Sequence, residues 1–266
     1  MARASDPPPP AAHTGSDIVL RALAGQAEYT ACVQLQRDTW GQGYADCVPA
    51  SILQVSQKVG GVCGGAFAPD GRLIGFVYGL TGVRGGRLIH WSHMLAVVPE
   101  YRNHGVGRRL KEYQRDALRA LGIEMMYWTF DPLVARNAHL NLNRLGTEVD
   151  EYVPDMYGHT GSELHAFGTD RFVVSWPVAA ADAAHRGAFS RNGAAGSAPP
   201  DATAVRVEIP ADVESMATPE AMRWREATRP EFLRLLGGGY RVTGFERNGG
   251  RCYYVLTPGA AGATSQ

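Results

Sequence analysis

A turn with two glycines and three arginines at residues 102–109 has the clearest chemical character in this sequence. It consists of Arg102, Asn103, His104, Gly105, Val106, Gly107, Arg108 and Arg109. An apolar run at residues 94–98 precedes it, and a segment with helical spacing follows it. A buried strand that leads through such a turn into a helix directs backbone N–H groups and the positive helix end to one point. The pattern therefore predicts a phosphate site.

The residues after the turn have the spacing of an amphipathic helix. Apolar side chains recur at helical intervals, at Leu110, Tyr113, Ala117, Leu118 and Leu121. Polar and charged side chains occupy the other positions, and Lys111 is one of them. The turn has neither a Walker-type Gly-Lys-Ser/Thr ending nor the three-glycine dinucleotide fingerprint, so ATP, GTP and NAD are poor candidates. A turn that only connects a strand to a helix is the structural alternative.

The stretch 95–110 resembles the acyl-CoA-binding signature of the GNAT acyltransferase superfamily. That signature is Arg/Gln-x-x-Gly-x-Gly/Ala after an apolar strand and a Pro-Glu-Tyr/Trp step, and each defining position is filled here. The resemblance implies that the amides of residues 102–109 bind the CoA pyrophosphate. It also implies that Leu95 and Val97 bind the pantetheine arm through backbone groups, with acetyl-CoA or another acyl-CoA as co-substrate and no metal.

Periodicity and turn residues predict the order of elements around this motif. Short strands and two helices precede it, and residues 69–71 (Pro-Asp-Gly) form a hairpin turn between two strands. The expected fold class is α/β (α+β), with a GNAT-like mixed, mostly antiparallel central sheet flanked by helices. A small βαββ extension is expected at the C-terminal end.

Composition changes along the chain predict its domain organisation. We expect a disordered tail at 1–16, a GNAT acyltransferase domain at 17–176, an Ala/Gly/Ser/Pro linker at 177–204, the βαββ unit at 205–258 and a second tail at 259–266. About sixty residues are too few for a confident independent core. We therefore expect the unit to pack on the first domain, or on a second subunit in a homodimer. It serves either as a stabilising cap or as a shield over the acceptor site.

Overall composition is that of a soluble enzyme. The 26 basic residues balance 26 acidic ones, so no net charge draws the chain to nucleic acid or to an anionic membrane. Four scattered cysteines show no disulfide or zinc spacing, and no stretch approaches the ~18 apolar residues of a membrane span. A cytoplasmic location and a small-molecule or peptide partner are the resulting expectations.

The residues that would move protons are harder to assign. In the predicted helix at 136–146, the position of the tyrosine that often acts as general acid in the family is occupied by Leu142, which cannot donate a proton. Tyr157 is the nearest substitute in the sequence. His93 is the candidate base, since an imidazole pKa near ~6.5 suits neutral pH, and strand alternation predicts that it shares a face with Leu95 and Val97. His139 is a second candidate, and a buried structural histidine is the alternative for both.

Two further assignments remain open between function and structure. Asn137 can bind CoA or a catalytic water, or it can cap the helix that begins nearby. An acceptor pocket can be built from four aromatic residues, which are equally suited to a core: Trp40, Tyr44, Trp91 and Trp128.

The sequence favours an N-acetyltransferase in which an acceptor amine attacks the thioester directly. A non-catalytic acyl-CoA-binding or regulatory module on the same fold is the alternative, because Leu142 removes one catalytic group. A decarboxylase or another CoA-thioester enzyme is a third possibility. Thiol release that depends on an amine separates these classes.

Overall fold

The computed structural model describes residues 17–158, 161–162, 165–179, 203–248 and 250–259. The predicted tail at 1–16, most of the predicted linker at 177–204 and nearly all of the tail at 259–266 lie outside the described residues.

A seven-stranded sheet carries the larger part of the fold. Its strands are β1 (Val19–Ala22), β2 (Val62–Phe67), β3 (Leu73–Arg84), β4 (Arg87–Val97), β5 (Met125–Phe130), β6 (Glu148–Val153) and β7 (Arg171–Pro177). They lie in the order β1-β2-β3-β4-β5-β7-β6. Among these described strands, the β4–β5 pair is parallel and the other neighbouring pairs are antiparallel. This mixed, mostly antiparallel sheet confirms the predicted fold class.

Helices cover both faces of this sheet. They are α1 (Gly25–Trp40), α2 (Ala50–Lys58), α3 (Val106–Arg119) and α4 (Ala135–Ala138), which continues into a π-helical turn (His139–Leu145). Alternate residues of β3 and β4 face opposite sides, as the pleat requires. Tyr78 and Met94 join the core cluster under α1 and α2, whereas Val77 and Val97 pack against Leu110 of α3.

Two irregularities in β4 shape the region of the predicted site. Gly79 pairs with Ser92 and Tyr78 pairs with Met94, so His93 is an extra residue in a β-bulge. In addition, β4 pairs with β5 only from Ile89 to Trp91, after which the two strands separate. The remaining part of β4 therefore presents an open edge to a gap, and its bulge lies at the start of that gap.

The C-terminal βαββ unit packs directly on the larger sheet. Its strands β8 (Val205–Ile209), β9 (Tyr240–Asn248) and β10 (Arg251–Pro258) form an antiparallel sheet in the order β8-β10-β9, joined by helix α5 (Thr218–Gly237). Phe172 of β7, Phe232 of α5 and Tyr254 of β10 stack edge to face, with ring centroids 4.9–5.4 Å apart. The apolar core is thus continuous between the two sheets.

Buried charge pairs cross the same boundary. Arg225 of α5 is 2% exposed and donates to Asp131 Oδ2 at 2.6 Å, directly after β5. Arg171 of β7 approaches the same carboxylate oxygen at 3.6 Å. Arg229 of α5 binds the fully buried Asp170 at 2.6 Å. Because a buried charge is costly without a partner, these pairs hold α5 in one position on the larger sheet.

No helix in the described part of the chain combines the length and apolar character needed to cross a membrane. The four cysteines, Cys32, Cys47, Cys63 and Cys252, are free thiols.

Arg225→Met should test the buried attachment of α5. The change leaves the longer contact to Arg171 as the one ion pair of Asp131 among the described residues, so we expect the free energy of unfolding to fall by about 3 kcal/mol or more. Denaturant unfolding measures it. Arg223→Met, at an exposed position of the same helix, is the matched control and should stay within about 0.5 kcal/mol of the parent. Equal effects of the two changes would show that the buried pair does not anchor the unit.

Candidate active site

The gap between β4 and β5 opens into a cleft of about 730 Å³. Ser92, His93 and Leu95 line it from β4, and Trp128 and Thr129 line it from β5. The cleft lies at the carboxyl ends of the parallel pair β4 and β5. Residues from α1, α3, α4, β7 and the C-terminal unit complete its walls.

The predicted phosphate turn lies at the end of β4, where the open edge of the cleft begins. Gly105 caps α3 in the left-handed conformation with φ 78°, and Asn103 also has a positive φ of 63°. The first bond into the helix runs from Arg109 N to Gly105 O. Helix geometry leaves the N–H groups of Val106, Gly107 and Arg108 without intrahelical acceptors, at the positive end of the dipole. This is the arrangement that an anionic phosphate requires.

Gly107 leaves open space in front of these donors. A Cβ atom built there would meet only Leu95 Cδ2, at an ordinary contact distance of 3.5 Å. Its φ is not in the left-handed region, so neither backbone conformation nor packing requires glycine at this position. A phosphate that comes close to the helix N-terminus would use that space.

The arginines of the turn have structural partners in addition to any ligand. Arg102 Nε donates to Val97 O at 3.0 Å, and Arg109 Nη2 donates to Ile18 O at 2.7 Å. Arg108 forms an exposed ion pair with Glu112 at 2.8 Å. The side chains of Arg102 and Arg109 thus tie the turn to β4 and to the residues before β1, and the backbone amides are the donors that the fold leaves for an anion.

Tyr157 and His93, predicted as acid and base from distant segments, both line the cleft. The Tyr157 hydroxyl is 3.0 Å from Thr129 Oγ1, and Arg171 lies 5.4 Å from the Tyr157 ring centroid. The His93 ring meets the edge of Tyr78 at 6.2 Å. Its position at the bulge interrupts the alternation that predicts a common face with Leu95 and Val97. Burial lowers the pKa of His93, while the charge of Asp46 acts in the opposite direction.

The comparison with protein families agrees with this geometry. Residues 29–146 match the model described as the acetyltransferase (GNAT) family. The chain carries a GNAT acetyltransferase domain. The comparison with curated proteins finds no match.

Solved structures are similar over part of the chain. The ribosomal-protein-S18-alanine N-acetyltransferase from Escherichia coli is 18% identical, covering 63% of this chain and 97% of its own, with a TM-score of 0.47. Arabidopsis thaliana Naa50, solved with the bisubstrate analogue CoA-Ac-MVNAL, is 15% identical, covering 60% and 98%, with a TM-score of 0.48. At this level of similarity they say nothing about the acceptor of the present protein.

The helix at the end of the family match differs in detail from its sequence-based prediction. The predicted helix at 136–146 is a short α-helix followed by a π-helical turn, ending at Gly146 with φ 69°. Asn137 lines the cleft but is the third residue of α4, which has no side-chain cap, so its predicted capping role is wrong. Leu142 is fully buried in the core. His139 is not among the cleft residues and instead contacts Asn143 and Arg144.

Three of the four predicted aromatic residues line the cleft of the GNAT domain: Trp40, Tyr44 and Trp128. Trp40 and Tyr44 stack with centroids 5.7 Å apart, and Trp91 is not part of the lining. Sequence reasoning missed His165, whose ring meets the edge of Tyr44 and whose Nε2 is 2.8 Å from Arg171 Nη2. Burial, followed by the charge of Arg171, lowers the pKa of His165 to about 4, so its imidazole is neutral at pH 7.

Lys111 is the second group that sequence reasoning missed. The helical pattern places it with the polar residues, yet it is 5% exposed and lines the cleft. Its Nζ donates to Ser92 Oγ at 2.7 Å and lies 3.8 Å from the centroid of the Trp128 ring. Burial lowers the pKa of the Lys111 amine well below its usual range. One signal in the sequence could have drawn attention to it, since Lys58 and Lys111 are the only lysines.

Groups of three or more histidine, cysteine, aspartate or glutamate side chains suited to a metal do not occur in the described part of the chain.

His90 gives the fold a testable sensitivity to acid. It is fully buried, with contacts to Thr81 and Gln114, and burial is the main cause that lowers its pKa from 6.5 to about 3. Between these pH values the unfolded chain binds a proton that folded His90 does not. Stability should therefore fall as pH drops through this window, by up to about 1.4 kcal/mol per pH unit.

His90→Gln should reduce this slope in denaturant unfolding measured from pH 7 to pH 4. His104→Gln, the same change at an exposed histidine, is the matched control. An unchanged slope in His90→Gln would mean that His90 takes up a proton in the folded state.

Proposed function

We propose that this protein transfers an acetyl or other short acyl group from acyl-CoA to an amine of a small molecule or peptide, by direct attack of the amine on the thioester. The observation that carries the proposal is the position of the phosphate turn. It opens α3 at one end of the free β4 edge, and the cleft lined by His93 and Tyr157 lies along that edge. Membership of residues 29–146 in the GNAT acetyltransferase family supports acetyl transfer in general.

The open edge of β4 sets the place of the acyl-CoA. The pyrophosphate would bind the free N–H groups at residues 106–108, and the pantetheine arm would follow β4 past Leu95. From Val97 to Ser92 the strand spans about 16 Å, which an extended pantetheine arm can cover. We call the point after Trp91 and Tyr127, where β4 and β5 separate, the fork. The thioester would then lie at the fork, beside the bulge at His93 and the Trp128 ring. Asn137 lines the same side of the cleft and can bind the arm or a water molecule.

The other half of the cleft would receive the acceptor. Trp40, Tyr44 and His165 form its wall, and an acceptor that arrives as an ammonium ion must lose one proton before it can attack. We assign that proton to His93, whose lowered pKa keeps the imidazole neutral at pH 7. Tyr157 remains the acid predicted from the sequence, and its contact to Thr129 holds the hydroxyl next to the fork.

The C-terminal unit would close the acceptor half. Glu214 lines the cleft and forms an ion pair at 2.7 Å with Arg136, which follows the start of α4. Asp131, which is anchored by Arg225 of α5, also lines the cleft. The unit therefore has both roles considered from the sequence, since the contacts that attach it to the larger sheet also complete the wall.

Gly107→Glu should abolish CoA binding measured by calorimetry, because a carboxylate would enter the space in front of the helix N–H groups. Gly107→Ala should weaken binding less, since its Cβ meets only Leu95. Gly82→Glu is the control, because Gly82 has open space and lies on β3 opposite Ile89, at the far end of β4. Unchanged CoA affinity in Gly107→Glu would refute the phosphate site.

If Tyr157 is the general acid, Tyr157→Phe should lower kcat by ~10²-fold or more with little change in the KM for acetyl-CoA, the effect of losing one acid–base group. His93→Ala should lower kcat/KM for the acceptor and flatten the acidic limb of its pH profile, because the neutral imidazole is the form that accepts the proton.

Tyr253→Phe on β10 is the control for the hydroxyl, and circular dichroism checks that each variant folds. Parent-like rates in both Tyr157→Phe and His93→Ala would assign these side chains to structure alone.

Thiol release from acetyl-CoA in the presence of a panel of amines tests the function as a whole. The panel should include amino acids, peptides with free N-termini, polyamines and aminoglycosides. Release that requires an amine supports acyl transfer. Tight CoA binding without release for any amine would favour the non-catalytic module, for which the buried Leu142 at the expected tyrosine position is the specific observation.

A further inference from the structure

Lys111 occupies the point at which β4 and β5 part. Pairing of the two strands ends at Trp91 and Tyr127, so Ser92 and Trp128 are the first residues beyond it. Lys111 Nζ contacts both, at 2.7 Å from Ser92 Oγ and 3.8 Å from the Trp128 ring centroid. All three side chains line the cleft. The Lys111 amine thus lies where the proposed function puts the thioester.

The surroundings of Lys111 differ from those of the other buried cations. Arg171 and Arg225 have the carboxylate of Asp131, whereas no carboxylate lies within ion-pair distance of Lys111 among the described residues. An unpaired ammonium is costly in such a place, so burial lowers the pKa of the Lys111 amine well below its usual range and favours the neutral form. A packing role alone would be filled better by an apolar side chain such as methionine, because it leaves no polar atom to satisfy.

Resting on the acyl transfer of the proposed function, we propose that Lys111, in place of Tyr157, carries the proton from the acceptor nitrogen to the CoA sulfur after attack. Attack by the neutral amine forms the N–C bond and leaves a positive nitrogen and a negative oxygen on the tetrahedral carbon. The Lys111 amine accepts one proton from that nitrogen, directly or through the Ser92 hydroxyl. The C–S bond then breaks, its electron pair stays on sulfur, and the Lys111 ammonium donates the proton to the thiolate. Lys111 returns to its neutral form, and no other reactant is consumed.

The contacts of Lys111 suit an amine that holds the transferred proton only for a short time. The Trp128 face stabilises the transient ammonium through a cation–π contact, and Trp128 is held by a bond from its Nε1 to Asn141. His90 is the titratable neighbour on β4, and its imidazole is neutral and bonded to Gln114. On the cleft side, His93 is the other titratable group of β4 and Tyr157 reaches Thr129 of β5. None of these neighbours is an anion that would hold Lys111 in the charged form.

Lys111→Met tests the proposal in the full-length protein. We expect kcat to fall by ~10²-fold or more, with the KM for acetyl-CoA within about threefold of the parent and an unchanged or higher Tm. Lys111→Arg should also lose activity, because a guanidinium stays charged and cannot accept the proton. The parent kcat should rise with pH through the pKa of Lys111, and this limb should be missing in Lys111→Met. Lys58→Met, at the exposed second lysine, should match the parent.

The two lysines also allow a direct measurement that needs no acceptor. Protein labelled with ¹³C at the lysine ε-carbon should give two side-chain resonances, assigned with Lys58→Met and Lys111→Met. We expect the Lys111 resonance to titrate well below the ordinary value of about 10.4. Titration of Lys111 at that ordinary value would overturn the proposal.

Four results separate failure of this inference from failure of the proposed function. Amine-dependent thiol release that is equal in the parent and Lys111→Met refutes the role of Lys111 and leaves acyl transfer intact. An acetyl group found on Lys111 by mass spectrometry during turnover refutes it as well, because the amine would then be a nucleophile. A parent that binds CoA but releases no thiol with any amine refutes the proposed function itself. If Tyr157→Phe loses activity and Lys111→Met does not, the proton to sulfur comes from Tyr157.

Discussion

The parallel pairing of β4 with β5 ends at Trp91 and Tyr127, while both strands continue. Their separation leaves the β4 edge without a neighbouring strand, and backbone N–H and C=O groups that are not paired in a sheet must find other partners. The acyl-CoA of the proposed function would satisfy that requirement with its extended amide chain, and the glycine turn at the end of β4 would bind its phosphates. The cleft, the bulge at His93 and the position of Lys111 all follow from where the two strands part.

Asp131 connects this fork to the rest of the molecule. It directly follows β5, its carboxylate binds Arg225 from the C-terminal unit and approaches Arg171 from β7, and it lines the cleft. A single buried carboxylate with cations on two elements fixes their relative positions more firmly than apolar contact alone, because removing either partner leaves uncompensated charge. The C-terminal unit is therefore part of the site wall as well as part of the core.

The arginine, histidine and lysine side chains in the cleft differ in the charge that they carry. Arg171, which is buried there, donates to the Asp170 carbonyl oxygen, and the imidazole of His165 is neutral because it is buried and the guanidinium of Arg171 lies beside it. Lys111 has no carboxylate partner among the described residues, and its contacts are the Ser92 hydroxyl and the Trp128 ring. Arginine keeps its charge in nearly every environment, whereas a buried lysine can lose it. A cleft with fixed guanidinium charges and one titratable amine can hold a polar acceptor and still exchange protons.

The sequence by itself determined the elements and the phosphate turn. Helix and strand periodicity, together with Gly105 and Gly107 between an apolar strand and α3, are local signals that act over a few residues. It also brought out His93 and Tyr157, which the fold does bring into one cleft. Only the tertiary structure decided that Lys111 is buried, that Asn137 is not a cap, and that Arg171 and His165 face the same space. These depend on the separation of β4 from β5 and on the packing of α5, which are contacts between residues far apart in the chain, and local periodicity carries no information about them.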